Sequence, residues 1–157
     1  MAVDAAETRT LQDRVEAIAA EVDGIVGVWA EPLDGGATVS LNADMVFSMA
    51  SVVKVPILVE LYRQAEAGQI DLAARLPFEQ RHLVPGSGVL QDLDFGLTPT
   101  VKDLATLMIT VSDNAATDMI LDLIGLDRLN LTVRELGLTS TTIPMTIREL
   151  LYSTVGL

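Results

Sequence analysis

Apolar residues recur at helical spacing near the start of the chain, at Leu11, Val15, Ile18, Ala19 and Val22. They predict an amphipathic helix over residues 8–23, ended by Gly24. The period then shortens. Residues 25–30, Ile-Val-Gly-Val-Trp-Ala, read as an apolar strand. Asp34-Gly35-Gly36 supplies turn residues, and residues 37–41 return as a second strand of a hairpin. An apolar run from Val52 to Leu61 follows, with hydrophobic residues almost all round, which predicts a helix buried on most sides and ended at Gly68. Pro56 lies inside that run and cannot donate to the Val52 carbonyl, so the first turn should be irregular or kinked.

Residues 69–99 show little periodicity and carry turn signals at Pro77, Pro85-Gly86-Ser87-Gly88 and Thr98-Pro99, so they read as loop with short helices. Thr100-Val101-Lys102-Asp103 has the pattern of a capping box and opens a buried helix through Leu104, Leu107, Met108 and Val111. Ser112-Asp113-Asn114 interrupts the apolar pattern. It resumes from Ala115 to Ile124, stops at Gly125, and continues as another helix from about Leu126 to Leu136, closed by Gly137. Thr146 and Glu149 form a second capping-box pattern at the head of a last helix.

Two polar interruptions of this pattern carry candidate chemistry. Ser51 and Lys54 are three residues apart, so on a helix they share one face. Lys54 is the only charge between Asp44 and Glu60, which places it at the buried end of its helix. A buried lysine loses charge because desolvation disfavours the ammonium, and a neutral amine can take a proton from a serine hydroxyl. A serine at a helix start also has backbone N–H groups and the positive dipole end nearby, which favour an oxyanion. By average composition a chance Ser-x-x-Lys arises in roughly every second chain of this length, and a chance Ser-Asp-Asn in only a few per cent. The second triplet therefore carries most of the specificity.

Composition narrows the function classes. The chain has 157 residues, the length of one domain, and is half hydrophobic with a mean hydropathy of +0.41. No run reaches the length of a membrane span. A formal net charge of −12 disfavours nucleic-acid partners and anionic membranes. There is no cysteine, and the one histidine, His82, reads as a surface or capping residue. No metal site and no cofactor are expected. Residues 1–10 lack a basic segment followed by an apolar one, so the sequence as written reads as cytoplasmic, or as periplasmic or secreted if a leader was removed.

Ser51-Val52-Val53-Lys54, followed 61 residues after Ser51 by Ser112-Asp113-Asn114, resembles the serine β-lactamase and penicillin-binding protein superfamily, in its class A β-lactamase-like branch. The resemblance runs from about residue 10 to the end. It implies an α+β, β-lactamase/transpeptidase-like fold: a largely helical lobe plus the first antiparallel hairpin of a sheet whose later strands are absent from this chain. On that reading residues 1–157 are a single catalytic domain truncated at the C-terminus. The implied function is a serine hydrolase that forms an acyl-enzyme with small-molecule β-lactams or peptide-like amides and esters. A D-alanyl-D-alanine peptidase or esterase and a non-catalytic penicillin-binding-like module are the alternatives.

The resemblance also assigns roles. Ser51 is the nucleophile, Lys54 accepts its proton, and Ser112 passes a proton to the leaving nitrogen. Asn114 binds the substrate amide and orients Lys54, whereas Asp113 holds the loop and Ser87 reads as a turn residue. Two departures stand out. The family's deacylating glutamate lies in a Glu-x-x-Leu-Asn loop. The nearest stretch here, Glu149-Leu150-Leu151-Tyr152-Ser153, lacks the Asn, and Glu149 is better explained by its capping box. No Lys-Thr-Gly or Lys-Ser-Gly triplet occurs in the chain. The polypeptide by itself is therefore expected to turn over β-lactams poorly and to self-associate through an exposed sheet edge.

Overall fold

A computed structural model describes residues 5–155, with side chains described for 9–154. Residues 1–4, which bear on the leader reading, lie outside the described residues. The chain divides into two compact units, residues 1–48 and 49–157.

The first unit holds helix α1 (Ala5–Ala19) and a two-stranded antiparallel hairpin, β1 (Val28–Ala30) and β2 (Val39–Leu41). The register pairs Val28 with Leu41, Trp29 with Ser40 and Ala30 with Val39. The helix ends four residues before the position its pattern predicts, because the bonds tighten to three-residue closures, Glu21 N–H to Ile18 O and Val22 N–H to Ala19 O. Both strands are also shorter than expected. Asn42 leaves the ladder with φ 48°, and its side-chain amide takes the Val26 carbonyl at 2.8 Å, so pairing stops at Val28. The expected apolar stripe of α1 is not buried: Leu11, Ile18 and Val22 are all exposed. What ties α1 to the hairpin is polar. The Gln12 amide accepts from Ser40 N–H at 3.0 Å and donates to Ser40 O at 2.9 Å, occupying backbone groups at the outer edge of β2.

The second unit is helical, with α2 (Lys54–Glu66), α3 (Val101–Thr110), α4 (Asn114–Ile124), α5 (Leu126–Glu135) and α6 (Ile147–Val155). A 3₁₀ turn, Ala50–Val53, leads straight into α2. Short 3₁₀ turns at Gln80–His82 and Leu90–Asp92 punctuate the long connection between α2 and α3. Ile57, Leu61, Phe78, Val84, Leu90, Leu104, Met108, Ile120, Leu129 and Val133 lie in its apolar core at 0% exposure. The helix α2 is not buried all round as its composition suggested. Lys54, Pro56, Ile57, Glu60 and Leu61 face inward, while Val52 before it and Val55 within it are exposed. Helix α4 is the central one: every residue from Ala115 to Leu121 is buried, and the small Ala115 and Ala116 suit its packing on α3. The capping boxes at Thr100/Asp103 and Thr146/Glu149 both form.

Candidate active site

Ser51 lies in the 3₁₀ turn, exposed to solvent, and Lys54 is the first residue of α2, at 3% exposure. The local chain explains the turn. Pro56 has no N–H for the Val52 carbonyl, and the Val52 and Lys54 N–H groups close back onto Met49 O and Ser51 O instead. Ala50, immediately before the serine, sits in the left-handed region at φ 44°.

The remaining groups come from the junction of α3 and α4. Ser112 also adopts a left-handed conformation, φ 56°, which turns the chain sharply between the two helices. Asp113 is the N-cap of α4: its Oδ1 accepts from Ala116 N–H at 2.9 Å. Its Oδ2 accepts from the N–H groups of Val89 and Leu90 at 2.8 and 2.7 Å. Asp113 thus holds the Pro85–Leu90 turn against the helix start, in keeping with the loop-holding role expected of it. Asn114 completes the junction. Its Nδ2 donates to Pro85 O at 3.0 Å and its N–H to Ser87 O at 2.9 Å. Gly88 is required here, because a Cβ at its φ of 114° would lie 2.4 Å from Asp113 Cγ and 2.5 Å from Asp113 Cα.

The two segments meet at Lys54. Its ammonium donates to Ser112 O at 2.5 Å, Ser112 Oγ at 2.8 Å and Asn114 Oδ1 at 3.0 Å, so all three donors are used. Ser112 Oγ donates in turn to Ser51 Oγ at 2.9 Å. The structure therefore brings Ser51, Lys54, Ser112 and Asn114 into one connected network. Ser112 stands between the serine and the lysine, rather than Lys54 bonding Ser51 directly. Burial lowers the Lys54 pKa from its ordinary value, while the anionic Asp113 and Asp118 act in the opposite sense. An exposed hydroxyl backed by a hydroxyl relay and a desolvated amine can deliver an activated nucleophile to a carbonyl approaching from solvent.

Other candidates fall elsewhere. Ser87 is exposed and contributes its carbonyl to Asn114. His82 is buried rather than at the surface. Its Nδ1 accepts from Glu79 N–H at 3.0 Å, which makes it a capping residue. It lines a cleft of about 180 Å³ with Leu76, Pro77, Arg81, Met119, Asp122 and Leu123, which includes none of the four site residues. Glu149 has its Oε2 committed to Thr146 N–H at 2.8 Å. Sequence reasoning missed two buried carboxylates. Glu60, at 0% exposure, accepts from Thr132 Oγ1, Gln64 Nε2 and Arg128 Nε. Burial pushes its carboxyl up, but the bonds from Thr132, Gln64 and Arg128 outweigh this and hold it below the usual range. Asp118, at 3% exposure, accepts from Ile147 and Arg148 N–H at 2.9 and 3.0 Å.

The pattern of the Beta-lactamase enzyme family matches residues 10–151. The chain belongs to that family. It is similar to the β-lactamase VEB-1 of Pseudomonas aeruginosa, 25% identical over 122 residues that cover 76% of this chain and 41% of the relative. Among solved structures it is similar to a β-lactamase from Sphaerobacter thermophilus, with a TM-score of 0.83 and 34% identity, covering 93% of this chain and 54% of the other. It is also similar to PBP-A, with a TM-score of 0.81 and 33% identity, covering 88% and 53%. A variant of PBP-A has been solved as an acyl-enzyme complex with penicillin G. The fold is thus that of the β-lactamases. The chain spans about two fifths of the curated relative's length and about half of the solved structures'. No described helix is long and apolar enough to cross a membrane.

Proposed function

We propose that this chain carries the acylating half of a class A-like serine β-lactamase site, with residues 1–157 belonging to one catalytic domain. Ser51 Oγ attacks the carbonyl carbon of a β-lactam, or of a related amide or ester. With Lys54 in the neutral form that burial favours, the Ser51 proton passes to Ser112 Oγ, whose own proton moves to the Lys54 amine, so that both hydrogen bonds run in the reverse of their resting direction. As the lactam C–N bond breaks, the proton returns through Ser112 to the leaving nitrogen, which leaves an ester on Ser51 and a neutral lysine. Asn114 orients Lys54 and offers its amide to the substrate. The observation that carries this reading is the chain of contacts from Ser51 Oγ to Ser112 Oγ to Lys54 Nζ, at 2.9 and 2.8 Å. The penicillin G acyl-enzyme of the PBP-A variant supports the substrate class.

A second reading, a penicillin-binding protein that acylates and releases slowly, is favoured by the state of the nearby carboxylates. Asp113 accepts three N–H groups, Asp118 two, and Glu149 caps its helix, so none is placed to activate water. Both readings share the same first step. Incubation with excess penicillin G, followed by intact-mass analysis and peptide mapping, tests it. One adduct on Ser51 is expected, formed slowly because this polypeptide contains no Lys-Thr-Gly triplet to bind the substrate carboxylate. It should vanish in Ser51→Ala and form about 10²–10⁴-fold more slowly in Lys54→Ala. Labelling at another residue, labelling that survives Ser51→Ala, or no adduct after a day at saturation would overturn the assignment.

A further inference from the structure

The cleft that His82 lines is formed by the connection from α2 to α3 and by one face of α4. Leu76, Pro77, Met119 and Leu123 are its apolar walls, and Arg81, His82 and Asp122 are its polar groups. His82 is only 7% exposed. Its Nδ1 takes the Glu79 N–H at 3.0 Å, so the ring proton sits on Nε2. Nε2 has no hydrogen-bond partner among the described residues, yet no buried side-chain nitrogen or oxygen there is left without one. Nε2 is therefore the edge of the ring that reaches open space, and the space this ring borders is the cleft. The other two polar groups are also unspent. Arg81 uses Nε on Glu79 at 2.6 Å, which leaves both terminal nitrogens of its fork without a partner among the described residues. Asp122, exposed on α4, makes no hydrogen bond or ion pair among them.

We propose that this cleft is a second binding site, for a free apolar α-amino acid of about the size of leucine. The ligand carboxylate lies on Arg81 and on the His82 Nε2–H, its ammonium on Asp122, and its side chain against Leu76, Met119 and Leu123. The cleft measures about 180 Å³, well under the roughly 300–1,000 Å³ of drug-sized sites, so its occupant is small. Polar groups of both signs select a ligand that carries both charges. A plain carboxylic acid would meet Asp122 and a net charge of −12, and a plain amine would meet Arg81. The planar guanidinium fork suits a carboxylate, and a neutral imidazole adds one further N–H. Burial holds the His82 pKa below its ordinary value, with Arg81 and Arg148 acting in the same sense and Glu79 and Asp122 opposing. Glu79 itself is spent on Arg81 and on capping the turn. A bound carboxylate places an anion beside Nε2, which favours the imidazolium, so binding raises the His82 midpoint. The site needs neither Ser51 nor Lys54.

His82 is the chain's one histidine, so its ring gives a single ¹H–¹³Cε1 signal that reports on the cleft without assignment. Titration with L-leucine at millimolar concentration should shift this signal and the Met119 methyl saturably and raise the His82 midpoint. Two analogues test the charges. 4-Methylpentanoate lacks the ammonium and leucinamide lacks the carboxylate, and each should bind about 10–100-fold more weakly, since a charged hydrogen bond is lost. Asp122→Asn should erase the preference for leucine over 4-methylpentanoate, and Arg81→Gln should narrow that over leucinamide. Both side chains are exposed, so the folded state tolerates these changes. Ser51→Ala should bind leucine as the parent does, which keeps failure of penicillin labelling distinct from failure of this site. The absence of a saturable His82 shift, an analogue that binds as tightly as leucine, or an unchanged leucine affinity in Asp122→Asn would overturn the proposal.

Discussion

Replacing Asp113 by alanine should cost far more stability than an ordinary N-cap, because its carboxylate serves two elements at once. Loss of the cap bond to Ala116 N–H contributes about 1 kcal/mol. The Leu90 N–H, bonded at 2.7 Å in a fully buried residue, would lose its acceptor at a cost of about 1–3 kcal/mol. Val89 is partly exposed, so water can replace part of its 2.8 Å bond, and its share is about 0–1 kcal/mol. The sum, about 2–5 kcal/mol, is a large part of the roughly 5–15 kcal/mol that holds a typical domain together. Thermal unfolding followed by circular dichroism should show Tm lowered by about 5–15 °C. Hydrogen exchange should show the Leu90 amide losing protection before the amides of α3. The second readout separates a clamp from a catalytic role, since a residue acting only on substrate would leave the apoprotein unchanged. A stability loss under about 1 kcal/mol, with Leu90 still protected, would refute the argument.

Gly88→Ala should destabilise by at least about 2–3 kcal/mol, because its Cβ meets the Asp113 backbone at a left-handed φ. Gly125→Ala, also left-handed but with no atom within 4 Å, should show only the strain of about 1–2 kcal/mol. Equal costs in urea denaturation would contradict this. Because burial lowers the Lys54 pKa below the ordinary 10.5, the native state binds fewer protons than the unfolded chain between the two values. Stability from this group is present in full above about 10.5 and is lost as pH falls through the native value. Denaturation at pH values below about 10.5 should therefore show a positive slope that Lys54→Met flattens, and identical slopes would exclude the effect. With penicillin G, acylation should outrun release, giving one stoichiometric burst and slow turnover. Glu149→Ala should leave both phases unchanged while costing about 1 kcal/mol of stability, and loss of the slow phase in that variant would identify it as a base.

The helical unit was legible because its signals are local. Capping boxes at Thr100 and Thr146, glycines at 68, 125 and 137 and the apolar period between them mark helices whose ends differ from expectation by a residue or two. The irregular turn at Ser51 followed from Pro56 alone. Burial was less legible, because period does not say whether a partner exists: the stripe of α1 has the right spacing and is exposed. Strand length failed for a related reason, since residues 25–27 have strand composition but Asn42 takes the bond their ladder would need. In the site, the four residues could be named from two motifs. The routing through Ser112 could not, because it depends on a left-handed turn that sequence does not mark at a serine. Asp118 and Glu60 were missed because a buried carboxylate is recognisable only by its partners, which lie 29 and 72 residues away.

Among the described residues of the helical unit, the two non-glycine left-handed ones sit on the two sides of the Ser51–Ser112 contact, Ala50 beside one hydroxyl and Ser112 carrying the other. Each conformation costs about 1–3 kcal/mol and persists only where its surroundings over-determine it. Ser112 is held by the Lys54 bonds to its carbonyl and hydroxyl and by the Asp113 clamp that follows it. Ala50 is held by the turn that Pro56 imposes on the start of α2. Relaxing either backbone would swing a hydroxyl out of a 2.9 Å contact, so holding these two conformations is what keeps the hydroxyls together. Ala50→Gly separates the two effects. Glycine adopts φ 44° without the steric cost, which favours the native state. It also frees the segment to sample other conformations, so the folded protein should be equal or up to about 1 kcal/mol more stable. Ser51 should nevertheless be labelled more slowly by penicillin G, with the Lys54 titration midpoint unchanged. A variant destabilised by more than about 1 kcal/mol would show that Ala50 is not strained, and one labelled as fast as the parent would show that the strain does not serve the relay.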